Sequence, residues 1–191
     1  MHYYFQPTAR QAVLASEAAR WHGTPFFHGS ESPGHAVDCV RYAAALYRAA
    51  GFINALTYPA YALDTAKHTT RSQLLDYLLT NEAFAGRLVF SPVHLPRLPG
   101  DLYALRSGKT DHHLAMHLPY DQVTHAIEEH GVITHDAGDT DFRKRILYIL
   151  RPLDVAQTAK SADAPKGQPQ CSPGQRPGLQ TQNTTSPERA P

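Results

Sequence analysis

Cys39, preceded by Asp38 and followed by an apolar run, is the residue of this chain best placed to do chemistry. Its pattern puts it at the first position of a helix. A thiol there feels the positive end of the helix dipole, which favours the thiolate, the nucleophilic form of cysteine. At a pKa near ~8.5 only about 3% of a thiol is ionised at neutral pH, and a fall to ~6.5 makes the thiolate the majority form. His113 and His125 follow much later, in segments that alternate like strands. A histidine downstream in the chain can serve such a thiol as general base, held in its working tautomer by a third polar group. A free cysteine is otherwise a common small hydrophobe of a core, so the histidines carry the case.

Alternation selects between neighbouring histidines. In His112-His113-Leu114-Ala115-Met116-His117-Leu118, the residues Leu114, Met116 and Leu118 share one face, and His113, Ala115 and His117 the other. The first face reads as core. On the second, Ala115 beside His113 leaves room for a packed helix such as the one starting at Cys39, which favours His113 over His112 as the base. His125 lies on the strand expected next to it, across a hairpin turned at Pro119-Tyr120-Asp121. There it can accept a hydrogen bond from His113 and fix its tautomer. Without Cys39, His113 reads by default as a solvated strand histidine, and on spacing alone His125 reads nearly as well as an ordinary polar strand residue.

The elements that must position these groups follow from periodicity and breakers. Pro7 to Ala19 reads as a first helix, stopped at Gly23-Thr24-Pro25, and residues 28–37 as a turn-rich loop. Cys39 to Ala50 reads as a second helix ended by Gly51. A third, amphipathic helix is expected over about Thr70 to Phe84, with Leu74, Leu75, Leu78 and Leu79 on its apolar side. After a loop marked by Pro92, Pro96, Pro99 and Gly100 the period changes to two. Strands are expected at Asp101–Arg106, His113–Leu118, Gln122–Ile127, Gly131–His135 and Ile146–Leu150. Helices first and an antiparallel sheet second make an α+β domain. From about Asp154 onward prolines and polar residues replace almost all aromatics, so a folded unit over residues 5–153 and a disordered tail over 154–191 are expected.

Composition narrows the function classes. The 191 residues carry a formal net charge of +1, which gives no reason to expect a nucleic-acid partner. The N-terminal residues lack a basic region and an apolar signal core, and no window reaches the ~18 apolar residues of a membrane span. A chain that is cytoplasmic as synthesised is expected, reaching an extracellular target only by lysis or a non-Sec route. The second cysteine, Cys171, lies in the expected tail, so Cys39 is read as a free thiol. The 12 histidines raise metal binding as a rival. However, His113 and His117 stand about 13 Å apart along a strand, and neither HExxH nor paired cysteines occur. No metal and no cofactor are expected.

Taken in order, several segments resemble the NlpC/P60 family of cell-wall cysteine peptidases. They are Trp21-His22-Gly23-Thr24-Pro25-Phe26, Asp38-Cys39, Leu98-Pro99-Gly100-Asp101-Leu102, His113 to Leu118, Thr124-His125-Ala126, Gly131-Val132 and Tyr148 to Pro152. The Gly-Thr-Pro arrangement looks closest to the phage-tail type. The resemblance implies a papain-like α+β fold with N-terminal helices packed on a C-terminal antiparallel sheet. It also implies Cys39 as nucleophile, His113 as base and His125 as the orienting residue. The implied substrate is a peptidoglycan stem peptide, cut between D-glutamate and the diamino acid, and phage-tail proteins are implied partners. Asp38, Phe26, His28 and Arg41 are the implied substrate-binding positions, Asp38 through a stem amine or else as a helix cap. Two departures stand out: Phe26 where the family has Tyr, and Val40-Arg41 where it has a small pair. His28 or Tyr42 is a candidate to replace the missing hydroxyl. The departures favour an alternative, a catalytically degenerate module that binds cell wall or a tail partner, and an acyltransferase on the same fold is a third reading.

Overall fold

The computed structural model describes residues 2–58, 72–107 and 110–155. Helix α1 (Thr8–Trp21) leads into a loop and a small hairpin, β1 (Glu31–Ser32) and β2 (Ala36–Val37). Helix α2 (Cys39–Ala49) follows, then α3 (Gln73–Thr80). The rest is mostly sheet: β3 (Leu88–Ser91), β4 (Leu102–Ser107), β5 (Thr110–Leu118), β6 (Gln122–Ile127) and β7 (Gly131–Asp136), then helix α4 (Thr140–Arg145) and β8 (Ile146–Pro152). The large sheet has six strands in the order β3-β8-β4-β5-β6-β7, every pair antiparallel. The domain is α+β, as its change of period implies.

The expected loop over 28–37 carries the two-residue strands β1 and β2, and three further elements differ from the sequence expectation. Strand β3 is only four residues long and abuts Pro92, too short for alternation to show. Helix α4 has six residues, one of them buried, and rests on its cap: the Asp139 carboxylate accepts from the Phe142 N–H at 2.7 Å. Helix α3 is shorter than expected, because the Asn81 side chain and carbonyl take over the next N–H groups in turns. Leu78 is buried there but Leu79 is exposed, and positions 70 and 71 lie outside the described residues.

The sheet is covered on both faces, which decides where the histidines go. Leu102, Leu114, Met116, Leu118, Ala126, Val132 and Leu150 form one face and pack against Leu14, Ala18 and Trp21 of α1 and Val40, Ala44, Leu46 and Tyr47 of α2. Tyr103, Leu105, Ala115, Val123 and Ile149 form the other and pack against Phe142 of α4 and against Ala137 in the turn before it. So α2 covers the leucine face of β5 and not the Ala115 face assigned to it from the sequence. The apolar stripe of α2 gains most where it meets large aliphatic side chains, at roughly 25 cal/mol per Å² buried. The short α4 is what closes the histidine face.

Two glycines permit close approaches that assemble the unit. Gly100 (φ +84°) lies against the ring of Phe5, and Gly131 (φ +69°) against the backbone carbonyl of Thr24; a Cβ would collide at either. Through the second approach the Gly23-Thr24 loop is stitched to β7, Gly23 N–H to the Val132 carbonyl at 2.9 Å and Val132 N–H to the Thr24 carbonyl at 2.8 Å. Near the first and last described residues, Tyr3 bridges Leu153, and buried Asp154 pairs with Arg10 at 2.7 Å. The expected tail lies outside the described residues from position 156 onward.

A buried ion pair ties β8 to the turn before β4. Arg151 donates from Nε to Asp101 Oδ1 at 2.7 Å and from Nη2 to Oδ2 at 2.6 Å, and Nη2 also reaches the Pro96 carbonyl at 2.8 Å. Asp101 also accepts from the Leu98 N–H at 2.9 Å. Removing one partner leaves an uncompensated buried charge, so Asp101→Ala is expected to lower the unfolding free energy by about 3–5 kcal/mol. Urea denaturation checks this, and a loss below about 1 kcal/mol would show the pair to be peripheral.

Candidate active site

Cys39 occupies the first turn of α2 and is 7% exposed. Asp38 caps that helix: its Oδ1 accepts from the Arg41 N–H at 2.8 Å. The other oxygen accepts from the Gly29 N–H at 2.8 Å and the Arg41 guanidinium at 2.7 Å, with the His28 ring 4.0 Å away. Of the two roles open to Asp38, the cap is the one its geometry displays. Arg41 does not project to solvent. It folds back on Asp38 and lies 4.2 Å over the ring of Tyr58. Phe26 is half-buried, bridges Val37 and packs on the core.

The sulfur of Cys39 rests against the backbone on both sides of His113. Its S–H is directed at the His112 carbonyl at 4.0 Å, and the Leu114 N–H is directed at the sulfur. On the opposite face of β5, His113 Nε2 lies 2.8 Å from Nδ1 of His125. Both rings are buried, at 8% and 5% exposure. Register explains the meeting. Met116 pairs with Thr124 and His117 with Val123, so His125 falls opposite Ala115 and diagonal to His113, over a side chain too small to separate the rings. His117 is elsewhere engaged, Nδ1 with the Tyr103 hydroxyl at 2.9 Å. Tyr42, a candidate for the missing hydroxyl, donates to Thr124 Oγ1 at 2.7 Å while Thr124 donates to the Ile133 carbonyl at 2.9 Å. That chain pins α2 to β6 and β7 and commits the Tyr42 hydroxyl to packing.

The structure adds a histidine that the sequence motifs do not single out. His135 of β7 places Nε2 3.1 Å from Nε2 of His125, and both rings meet Phe142 edge-on. The signal was present in the alternation of β7, since Val123 pairs with His135 and puts it on the face of His125. The three imidazoles form a line. Among the described residues no three His, Cys, Asp or Glu side chains are grouped to hold a metal ion.

Burial controls the electrostatics. Desolvation above all, with the Asp38 charge adding to it, pushes the Cys39 thiol up from 9.0 to about 12 against the Leu114 and first-turn N–H groups. A helix terminus contributes at most about 2 kcal/mol. The rise from 9.0 to about 12 corresponds to roughly 4 kcal/mol. Burial therefore wins, and the resting group is a thiol where the sequence led one to expect thiolate. Desolvation also lowers His113 to about 3, with Arg145 adding to it. It lowers His125 to about 2, with His113, His135 and Arg145 adding to it.

An NlpC/P60 family protein from Bacillus cereus ATCC 10987 superposes with a TM-score of 0.50 at 16% identity, covering 75% of this chain and 40% of that one. The fold is that of the NlpC/P60 proteins. A protein similar to lipoprotein, of the NLP/P60 family, from Staphylococcus aureus subsp. aureus Mu50 gives a TM-score of 0.47 at 20% identity, covering 77% of this chain and 42% of that one. The NlpC/p60 domain of the peptidoglycan hydrolase SagA gives 0.44 at 18%, covering 74% of this chain and 97% of that domain. The chain thus spans about two fifths of the length of the first two NlpC/P60 proteins. No family model and no curated protein matches the sequence. Among the described residues no helix is long and apolar enough to cross a membrane.

Two outcomes follow from the electrostatics. Histidines of an unfolded chain titrate near ~6.5. Between there and the folded values of about 3 and about 2, the unfolded state binds more protons than the native one. Stability is therefore expected to fall as pH falls through that window, by up to about 1.4 kcal/mol per histidine per pH unit. His113→Gln should have a shallower acid limb when Tm is followed against pH; equal limbs would contradict the assignment. In a Cys171→Ser background, native Cys39 should react with iodoacetamide roughly 100-fold or more slower at pH 7 than in urea, and accelerate only at alkaline pH. Fast alkylation of the native protein would contradict its burial.

Proposed function

We propose that this chain is a cysteine peptidase acting on peptidoglycan stem peptides, with Cys39 as nucleophile, His113 as general base and His125 orienting it. The observation that carries this is the 2.8 Å contact between His113 and His125, on the strand whose backbone at His113 receives the Cys39 sulfur. A neutral thiol and a neutral imidazole suit a proton transfer coupled to attack. As sulfur bonds to the peptide carbonyl carbon, its proton passes in this reading to Nδ1 of His113, the nitrogen not engaged by His125, which requires the ring to reach past the β5 backbone that the sulfur touches. The carbonyl oxygen gains the negative charge, with the Cys39 N–H at the start of α2 a ready donor to it. Collapse breaks the C–N bond, the His113 proton goes to the leaving amine, and a thioester remains. Water, deprotonated by His113, then releases the acid and restores the thiol.

The ordered resemblance of the motifs supports a stem peptide, cut between D-glutamate and the diamino acid, and a phage-tail setting for the protein. His28 and Arg41 lie against Asp38, next to Cys39 in the chain, and in this reading they and Phe26 face the stem. Since Arg41 already neutralises Asp38, binding of a stem amine by Asp38 requires Arg41 to be displaced. A second reading, a module that binds cell wall or a tail partner without turnover, is favoured by one observation: Cys39 is closed off and its thiol is pushed up to about 12.

Incubation with peptides containing L-Ala-γ-D-Glu-diaminopimelate, with products read by mass spectrometry, separates the two. Cleavage is expected, abolished in Cys39→Ala, reduced about 10²–10⁴-fold in His113→Ala, and reduced less in His125→Ala. His112→Ala should retain most activity, because Cys39 meets only its backbone carbonyl. Binding of the peptides without cleavage by the folded protein would establish the second reading.

A further inference from the structure

We propose that His135 is a positioning residue that sets the direction of hydrogen bonding through His125 into His113, an inference that deepens the peptidase reading and rests on it. An imidazole in the orienting position poses a problem that a carboxylate does not. A carboxylate only accepts, so the base has one possible tautomer. His125 can donate or accept through Nδ1, and a His113–His125 pair alone is satisfied either way. Only one way leaves Nδ1 of His113 with a lone pair with which to take up a proton.

The geometry around His135 removes the choice. Its Nδ1 lies 3.0 Å from the Asp136 carbonyl oxygen, which has no proton to give, so this nitrogen carries the hydrogen. In that tautomer Nε2 is an acceptor, 3.1 Å from Nε2 of His125, which must donate. Nδ1 of His125 is left as an acceptor, 2.8 Å from Nε2 of His113, which donates in turn. Nδ1 of His113 is left as the free base. One backbone carbonyl thus determines three tautomers in sequence, each ring passing the constraint on because a neutral imidazole has one donor and one acceptor. The strands supply the spacing: Val123 pairs with His135 and His125 with Ile133, so the two rings are diagonal neighbours on one face. Phe142 holds the last ring edge-on with centroids 5.3 Å apart.

Two substitutions separate positioning from packing. His135→Phe keeps a ring against Phe142 and removes the acceptor. His135→Gln gives up the ring and keeps an amide oxygen within reach of His125. Positioning predicts kcat down on the order of 10²-fold with KM unchanged in the Phe variant, and activity within a few-fold of wild type in the Gln variant. Packing predicts the reverse order, and that order would overturn the proposal. Imidazole nitrogen NMR shifts of the full chain at neutral pH provide a readout independent of turnover. Wild type and the Gln variant should show His113 protonated at Nε2 and bare at Nδ1, while the Phe variant should show a mixture or the opposite tautomer. A wild-type His113 protonated at Nδ1, or a tautomer unchanged in the Phe variant, would sink the idea even if the protein cleaves stem peptides. The expected shifts in a protein that cleaves nothing would uphold the hydrogen-bond direction and refute the peptidase reading alone.

Discussion

Strand β5 is buried on both faces, and most of what is distinctive here depends on that double burial. An antiparallel strand commonly leaves one face to water, where a histidine would be solvated and free to titrate. Here the face opposite the leucines is roofed by Phe142 and its short helix. Histidines placed under such a roof must find partners inside the protein, because an unpaired buried polar group costs on the order of 1–3 kcal/mol. They find one another. The line of imidazoles is a consequence of closing the second face, and so is the neutrality of His113 and His125.

The other half of the site is organised by a carboxylate. Asp38 is 1% exposed and accepts from two backbone N–H groups and one guanidinium, which joins the loop at Gly29 to the start of α2. Its charge faces the same helix start whose dipole would stabilise a thiolate, and it works against that stabilisation. The competition between helix terminus and burial at Cys39 is thus decided by magnitude, and the loss of water around the sulfur outweighs the dipole. Under the peptidase proposal, proton transfer coupled to attack is then the economical route to a nucleophile, because no separated charge has to exist in the resting site.

Long-range ties hold the two halves in register. The Tyr42–Thr124–Ile133 chain fixes α2 against β6 and β7, and the Asp101–Arg151 pair fixes β8 to the turn before β4. Gly131 brings the Gly-Thr-Pro loop onto β7, so a segment near the start of the chain frames a site built largely from its second half.

Much of this was legible in the amino-acid sequence, for local reasons. The capped start of α2 at Asp38-Cys39, its end at Gly51, the hairpin between His113 and His125 and the α+β order all rest on periods and breakers that act within a few residues. The choice of face for α2, the closure of the histidine face by α4 and the burial of Cys39 do not. Each depends on which surfaces meet after collapse, a contest between areas supplied by residues far apart in the chain. His135 shows the boundary well. Alternation determined which face it shares, whereas its role as the last ring in a line required the tertiary register that puts it 3.1 Å from His125, beside a backbone carbonyl that can only accept.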